Sequence, residues 1–352
     1  MLLKHLGQSG IKVSAVGQGT GIHHSLADRE IYRQLASTIQ AGIDLGITFI
    51  DTAPVYGDGE SEAVIGRALK GIRHNVVLGT KVSPENLSPD GIQSSVEGSL
   101  RRLQTDRIDL LQVHWPNPDI PFSETLEGLE KILQQGSVRS IGFCNFSLKD
   151  IRAAQQRFPS ALFVSLQVEY NLFDRSIEQE MLPYANEQSL SVIAYSPLHR
   201  GKIVANREQY AVLQTMADKY QKTPAQIVLR WLTSHQPVVV IPNTTSITRM
   251  TENAQSMDFD LEEDDYRALS GKCRGHFLNI PPRSIQIAED TGRSVYRTLD
   301  EAVANAMNFV PSPQDLAREI EVGGFLKPIR LRPSGEANDL NCWKAESATG
   351  HG

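Results

Sequence analysis

Short apolar runs with β-type composition alternate with longer stretches of helical period over residues 1 to about 260 of the chain. This alternation predicts β-α units, because parallel strands need a crossover connection, usually a helix, between them. The predicted strands number eight, at 13–17, 48–51, 76–81, 108–114, 140–145, 163–168, 191–195 and 238–241.

Helical periodicity fills the intervals between these strands, with start signals at Ser61, which precedes an apolar stripe, and at Thr223 followed by Pro224. Eight strands, each followed by a helix, over about 250 residues predict the α/β class and a (β/α)8 TIM barrel. The predicted helices are 28–45, 61–69, 89–103, 124–135, 148–157, 177–187, 209–234 (broken before Pro224) and 247–256.

Gly17 and Gly19 follow the first predicted strand in the manner of a dinucleotide-binding fingerprint. The third glycine of G-x-G-x-x-G would fall at position 22, which is Ile22, and no helix opens directly after it. The motif therefore does not support a Rossmann domain, whose turn needs all three glycines.

Composition excludes several other classes of protein. The chain has 352 residues, of which 40% are hydrophobic, and its 35 Lys+Arg against 41 Asp+Glu give a net charge of -6. This balance argues against nucleic acid or an anionic membrane surface as a partner. Three separate cysteines form no disulfide scaffold and no thiolate zinc site. With no long apolar segment and no signal peptide, we expect a cytoplasmic protein.

Polar side chains stand at the carboxyl ends of the predicted strands, where the loops of such a barrel face one mouth. Taken singly, Asp51 also fits a cap, Lys81 a snorkelling lysine and His114 a core histidine. Their joint occurrence at successive strand ends favours an active site. The residues in question are Asp51, Tyr56, Lys81, His114, Asn145, Gln167 and Tyr195.

The chemistry of this set points to proton donation by a phenol. A free phenol has a pKa of about 10, but an ammonium at about 4 Å stabilises the phenolate by on the order of 4 kcal/mol, roughly three pKa units, before desolvation is counted. Lys81 supplies the ammonium, Asp51 keeps it charged, and His114 donates a second hydrogen bond to the reacting oxygen. We expect protonation of a carbonyl oxygen while another group attacks its carbon.

At these residues the chain resembles the aldo-keto reductase family, over about residues 1–270, with residues 1–13 similar to the hairpin that closes the barrel floor. The matching segments are DTAPVYG (51–57), GESE (59–62), GTK (79–81), LLQVHWP (110–116), GFCNFS (142–147), QVEYN (167–171), YSPL (195–198), IP (241–242) and EN (252–253).

The resemblance implies a nicotinamide cofactor at the barrel mouth, NADPH or alternatively NADH, and hydride transfer to an aldehyde or ketone. Tyr56 would be the general acid, tuned by Lys81 and Asp51, with His114 orienting the carbonyl and Trp115 and His23 lining the substrate pocket with Tyr56. The cofactor residues would be Asn145, Gln167, Tyr195, Ser196, Leu198, Gly201, Thr244, Arg249, Glu252 and Asn253.

Three departures from the family pattern qualify these expectations. Asn243 stands where a lysine often contacts phosphate, which weakens the preference for NADPH, although Arg249 keeps NADPH ahead. Cys144 replaces a usual serine, and the loop after Gly201 is short, which suggests easier release of the cofactor. The adjacent His23 and His24 lack a third ligand at useful spacing, so no metal site is expected.

The rest of the chain falls outside the barrel pattern. Residues 271–283 are predicted to be a linker, and residues 284–352 weakly resemble the opening of a ParB-type domain that is truncated or partly disordered. A regulatory, redox-sensing subunit with little turnover is the alternative function, and a role of the tail in DNA binding is a further one. The substrate, the direction of reaction and the oligomeric state stay open.

Overall fold

The computed structural model describes residues 1–22, 29–205 and 211–272 and three short strands at 285–287, 330–333 and 343–346. The chain divides into two compact units, Met1–Leu269 and Ser270–Gly352. Two strands precede the barrel, β1 (Leu3–His5) and β2 (Lys12–Ser14). The barrel strands are β3 (Gln18–Gly19), β4 (Phe49–Asp51), β5 (Val77–Val82), β6 (Leu110–Val113), β7 (Ile141–Cys144), β8 (Phe163–Glu169), β9 (Ser191–Tyr195) and β10 (Val238–Val240).

Helices connect these strands on the outside of the sheet. They are α1 (Arg29–Asp44), α2 (Glu60–Ala68), α3 (Pro89–Leu103), α4 (Phe122–Gln134), α5 (Leu148–Arg157), α6 (Met181–Glu187), α7 (Lys202–Ala205), α8 (Ala211–Tyr220), α9 (Pro224–Ser234), α10 (Ile247–Gln255) and α11 (Glu263–Lys272). Among the helices in the described ranges, none is both long enough and apolar enough to cross a bilayer.

The eight barrel strands are parallel and lie side by side in chain order, from β3 to β10. The sheet closes on itself because Val16 bridges Val240 and Gly19 bridges Asn243. The N–H of Gly17 also donates to the carbonyl of Val240 at 2.8 Å. This architecture confirms the predicted (β/α)8 barrel.

Close approach of neighbouring strands explains the two glycines that resemble a nucleotide fingerprint. A Cβ on Gly17 would lie 2.8 Å from the Phe49 ring, and one on Gly19 would lie 2.8 Å from the Ile241 carbonyl oxygen. Both glycines therefore serve the closure of the barrel, where no larger residue fits.

The predicted strand 13–17 has the wrong boundaries. β2 pairs antiparallel with β1 as a hairpin, and the first barrel strand is β3. The apolar run crosses from the hairpin into the barrel without interruption, so periodicity cannot separate them. Apolar residues of the hairpin (Leu6, Ile11, Val13) pack against Phe49, Leu110, Val164, Ile193 and Val239 inside the barrel, which confirms the predicted hairpin.

Of the two predicted helix starts, the structure confirms Thr223 and shifts the other by one residue. The Thr223 hydroxyl accepts a hydrogen bond from the N–H of Gln226 at the start of α9, and Gln226 Oε1 accepts one from the N–H of Thr223. Ser61, however, does not begin α2, because the helix starts at Glu60 and the Ser61 hydroxyl donates to the Thr20 carbonyl at 3.3 Å. The helix α11 lies beyond the predicted ones.

The second unit contains three described strands, β11 (Ile285–Ile287), β12 (Arg330–Pro333) and β13 (Trp343–Glu346). The strand β13 pairs parallel with β11 and antiparallel with β12. Most residues behind the ParB-type resemblance, including 294–300 and 311–320, and most of the predicted linker lie outside the described residues. That resemblance stays a prediction.

Candidate active site

A polar layer lies across the interior of the barrel at the carboxyl ends of its strands. Side chains alternate along a strand, so Phe49 and Leu110 face the apolar floor while Asp51 and Gln112, two residues further on, face the same interior nearer the mouth. Asp51, Lys81, Gln112, Cys144 and Gln167 are each buried. Polar groups at such depth must bond with one another.

Lys81 and Asp51 form the centre of this layer. The Lys81 Nζ donates to Asp51 Oδ2 at 2.5 Å, to the Thr52 carbonyl at 2.8 Å and to the Tyr56 hydroxyl at 3.4 Å. Burial is the largest single influence and would lower the pKa of Lys81, but the carboxylate of Asp51, together with Tyr56 and Cys144, outweighs it and the pKa of Lys81 is raised. The three N–H groups of an ammonium are thereby all assigned.

Tyr56 lies on the loop between β4 and α2, with the ammonium of Lys81 5.1 Å from its ring centroid. Burial and the charge of Asp51 raise the pKa of Tyr56, and they outweigh Lys81, which lowers this pKa as the sequence predicts. The His114 ring stands edge-on to the Tyr56 ring, with centroids 6.0 Å apart.

Two amide side chains hold the other oxygen of the carboxylate. Gln112 Nε2 donates to Asp51 Oδ1 at 2.9 Å, and Gln167 Nε2 donates to the same oxygen at 2.8 Å. The structure therefore places Gln167, predicted as a cofactor ligand, directly against Asp51. Gln112 is not among the residues predicted for the site, although its spacing of two residues from His114 places both side chains on the same face of the strand.

Asn145 and Tyr195 meet at the ends of β7 and β9. The Tyr195 hydroxyl donates to Asn145 Oδ1 at 3.0 Å, and Asn145 Nδ2 donates to the His114 carbonyl at 3.2 Å. Asn145 has a left-handed backbone, with φ of 63°. Burial raises the pKa of Tyr195 to about 12, so it stays a neutral phenol.

The segment after β9 turns tightly through left-handed backbone at Ser196, His199, Arg200 and Gly201. The N–H groups of His199 and Gly201 donate to carbonyls inside the turn. The Nδ1 atom of His199 is buried, and among the described residues it has no hydrogen-bond partner. Leu198 lies in the same turn and is partly buried.

The remaining predicted cofactor residues lie on or just before α10. Thr244 Oγ1 accepts from the N–H of Ser246, which caps the helix. Arg249 is exposed, Glu252 is partly buried and Asn253 is buried. These four residues lie apart from the polar layer: Thr244 bonds with Ser246 and Thr38, and the Glu252 carbonyl accepts from Gln226.

With this geometry established, comparison with known proteins identifies the family. The sequence profile described as the Aldo/keto reductase family matches residues 17–273. The chain belongs to the aldo/keto reductase family.

Individual relatives agree with this assignment. Methylglyoxal reductase YeaE of Escherichia coli (strain K12) is 35% identical over 260 residues, covering 74% of this chain and 90% of the relative. A crystal structure of an aldo/keto reductase from Klebsiella pneumoniae in complex with NADP and acetate is 35% identical, with a TM-score of 0.69 over 76% of this chain and 94% of that one. The thermostable aldo-keto reductase Tm1743 gives 34% identity and a TM-score of 0.70, covering 76% of this chain and 98% of that one.

In this aldo/keto reductase, the loops next to Tyr56 and His114 leave apolar side chains in solvent. Val55 is 45% exposed and Trp115 is 48% exposed. His23, predicted beside them, lies outside the described residues together with His24. Across the described part of the chain, no three His, Cys, Asp or Glu side chains are grouped as a metal site requires.

Two departures from the family pattern have definite surroundings. Asn243 is exposed and its Nδ2 donates to the Gly21 carbonyl at 2.7 Å, so this side chain is already engaged. Cys144 is buried in the polar layer, with its Sγ 3.7 Å from Gln112 Oε1. Burial raises the pKa of the Cys144 thiol, which makes it a poor nucleophile at neutral pH.

Proposed function

We propose that the protein is an NADPH-dependent reductase that converts aldehydes or ketones to alcohols, with Tyr56 as the general acid. The observation that carries this proposal is the assignment of all three N–H groups of Lys81, one of which points to the Tyr56 oxygen. Because the phenol oxygen accepts that bond, the ammonium lies against the atom on which negative charge forms when the phenol donates its proton to a substrate.

The residues present suit a nicotinamide dinucleotide. The amides of Asn145 and Gln167 match the carboxamide, and the flat ring of Tyr195 matches the nicotinamide ring. The buried Nδ1 of His199 lies in the turn assigned to the pyrophosphate, and Arg249 offers a guanidinium for a 2′-phosphate. Thr244, Glu252 and Asn253 would border the adenosine, with Ser196, Leu198 and Gly201 at the pyrophosphate. When bound, NADPH supplies the hydride that reduces the carbonyl carbon.

Proton transfer is the part that this chain's own side chains perform. The substrate oxygen accepts the proton of the Tyr56 hydroxyl, and His114 donates a second hydrogen bond to that oxygen. The phenolate that remains faces the Lys81 ammonium, which Asp51 keeps charged. Because its pKa is raised, Tyr56 is fully protonated at neutral pH, and Lys81 acts on the phenolate as it forms.

The relatives supply the substrate class by analogy. One relative is named a methylglyoxal reductase, and solved neighbours contain NADP or NADPH. The exposed side chains of Val55, next to Tyr56 in the chain, and of Trp115, next to His114, favour small carbonyl compounds with an apolar substituent. NADPH is favoured by Arg249, while Asn243 in place of a lysine reduces the margin over NADH.

Steady-state oxidation of NADPH with a panel of aldehydes tests this function. We expect turnover by the wild type and a loss of at least about a hundredfold in Tyr56→Phe, with NADPH binding by fluorescence unchanged. Absence of turnover with every carbonyl, while NADPH still binds, would instead favour the redox-sensing role. Repeating both assays without residues 275–352 shows whether the tail contributes.

A further inference from the structure

Gln112 is a buried amide whose nitrogen and oxygen atoms both make hydrogen bonds within the polar layer. It lies on β6, fully buried, two residues before His114. Its Nε2 donates to Asp51 Oδ1 at 2.9 Å. Its Oε1 accepts from Gln167 Nε2 at 3.2 Å and faces the Cys144 thiol at 3.7 Å. A glutamine placed only for packing would not need three such partners.

These contacts divide the two oxygens of the Asp51 carboxylate. Oδ1 accepts from the two amides, Gln112 and Gln167, which leaves Oδ2 to face the ammonium of Lys81. A carboxylate held on one oxygen by two neutral donors cannot rotate without breaking both bonds. The direction of Oδ2, and with it the position of Lys81 beside Tyr56, is thereby set.

The same contacts orient the amide of Gln167. Its two N–H groups are both assigned, one to Asp51 Oδ1 and one to Gln112 Oε1. Its carbonyl oxygen is then the atom left to meet a ligand at the mouth. A flipped Gln167 would set its carbonyl oxygen against the carboxylate of Asp51 and against Gln112 Oε1, where acceptors face acceptors.

We propose that Gln112 is a positioning residue for carbonyl reduction, which directs Asp51 Oδ2 toward Lys81 and fixes the Gln167 amide with its oxygen toward the cofactor. The proposal rests on the reductase function proposed above and adds a residue to it. Gln112 touches neither substrate nor cofactor and acts through its two neighbours.

Neutrality of the side chain is part of this role. A carboxylate at position 112 would place a second negative charge within about 3 Å of Asp51 Oδ1, and only its protonated form could donate as the amide does. An apolar side chain of the same length would leave one N–H of Gln167 and one position on Asp51 Oδ1 without partners.

Gln112→Met removes both hydrogen-bonding ends while keeping the length of the side chain. We expect kcat with an aldehyde to fall about tenfold while its KM changes less than twofold, since positioning of the acid is lost and substrate contacts are kept. We expect the NADPH Kd, measured by fluorescence without substrate, to rise about fivefold because Gln167 loses its fixed orientation. Ser140→Ala is the matched control, since it removes a buried hydrogen bond to the Asp109 carbonyl away from Asp51.

Gln112→Glu separates positioning from mere packing. Its kcat relative to wild type should be near one at low pH, where the carboxyl is protonated, and should fall as pH rises. If Gln112→Glu loses the same fraction of kcat at every pH, the proposal is overturned. It is also overturned if Gln112→Met has the same kcat and NADPH Kd as Ser140→Ala. If the wild type turns over no carbonyl compound, the reductase function is overturned instead. The NADPH Kd of Gln112→Met then tests alone whether Gln112 orients the Gln167 amide.

Discussion

Two lysines at opposite ends of the barrel are shielded from solvent, and their pKa values are shifted in opposite directions. Lys81, at the mouth, is fully buried against the carboxylate of Asp51. Lys4, in the hairpin at the floor, is partly buried and donates to three backbone carbonyls, those of Thr233, His235 and Val238, at 2.6 to 2.8 Å. Both lysines bridge distant parts of the chain.

The kind of acceptor separates the two lysines. Asp51 provides a full negative charge and raises the pKa of Lys81 in spite of burial. Carbonyl groups provide only dipoles, so burial, with a smaller effect from the charge of Arg230, lowers the pKa of Lys4 to about 7. Three hydrogen bonds do not replace one carboxylate in keeping an ammonium charged.

The opposite directions have opposite consequences for stability. Lys81 contributes fully to the free energy of unfolding below the ordinary lysine pKa. That contribution is lost only as pH rises through the raised pKa of Lys81 in the folded protein. For Lys4, the unfolded chain holds a proton between pH 7 and about 10.5 that the folded protein lacks. The free energy of unfolding therefore rises with pH in that window, by at most about 1.4 kcal/mol per pH unit.

The largest expected effect comes from breaking the pair at the mouth. Lys81→Met leaves the carboxylate of Asp51 buried without its cation and should lower the free energy of unfolding by about 3–5 kcal/mol. The double variant Asp51→Asn/Lys81→Met should recover most of that stability, because no charge is left unpaired, while carbonyl turnover stays lost. Urea unfolding at pH 7 measures both variants. A single variant as stable as the double one contradicts the account of the pair.

At pH 7, where the pair at the mouth is tested, the floor contributes less, and its effect grows only as pH rises. Lys4→Met removes the titrating amine, so its free energy of unfolding should lack the rise that the wild type shows between pH 7 and 10. Urea unfolding of both proteins at half-unit steps in pH tests this. Parallel curves for the two proteins would mean that Lys4 keeps an ordinary pKa in the folded state.

The smallest effect concerns Arg230, whose positive charge helps to lower the pKa of Lys4. In Arg230→Gln the pKa of Lys4 should move up toward its ordinary value, so the pH-dependent rise in stability should begin at a higher pH. Arg157→Gln, another arginine in an ion pair, with Glu130, is the control and should leave the onset where it is in the wild type. If stability begins to rise at the same pH in all three proteins, the charge of Arg230 does not affect the pKa of Lys4.

The mouth was far more predictable from sequence than the floor. Asp51, Lys81 and His114 stand at or next to strand ends, and the topology of a barrel brings such ends together whatever the packing. The role of Lys4 depends on carbonyls more than two hundred residues away, which no local pattern reveals. The same holds for the first barrel strand, because an apolar run does not state which neighbour it pairs with.

Alternation of apolar strands and helices determined the barrel, and the identity of the strand-end residues predicted the type of chemistry, since both depend only on the order of residues along the chain. Tertiary structure alone decided the electrostatics. Burial outweighs Lys81 in setting the pKa of Tyr56, and Gln112 and Gln167 converge on one oxygen of Asp51. Desolvation and hydrogen-bond geometry depend on which groups surround a side chain in three dimensions.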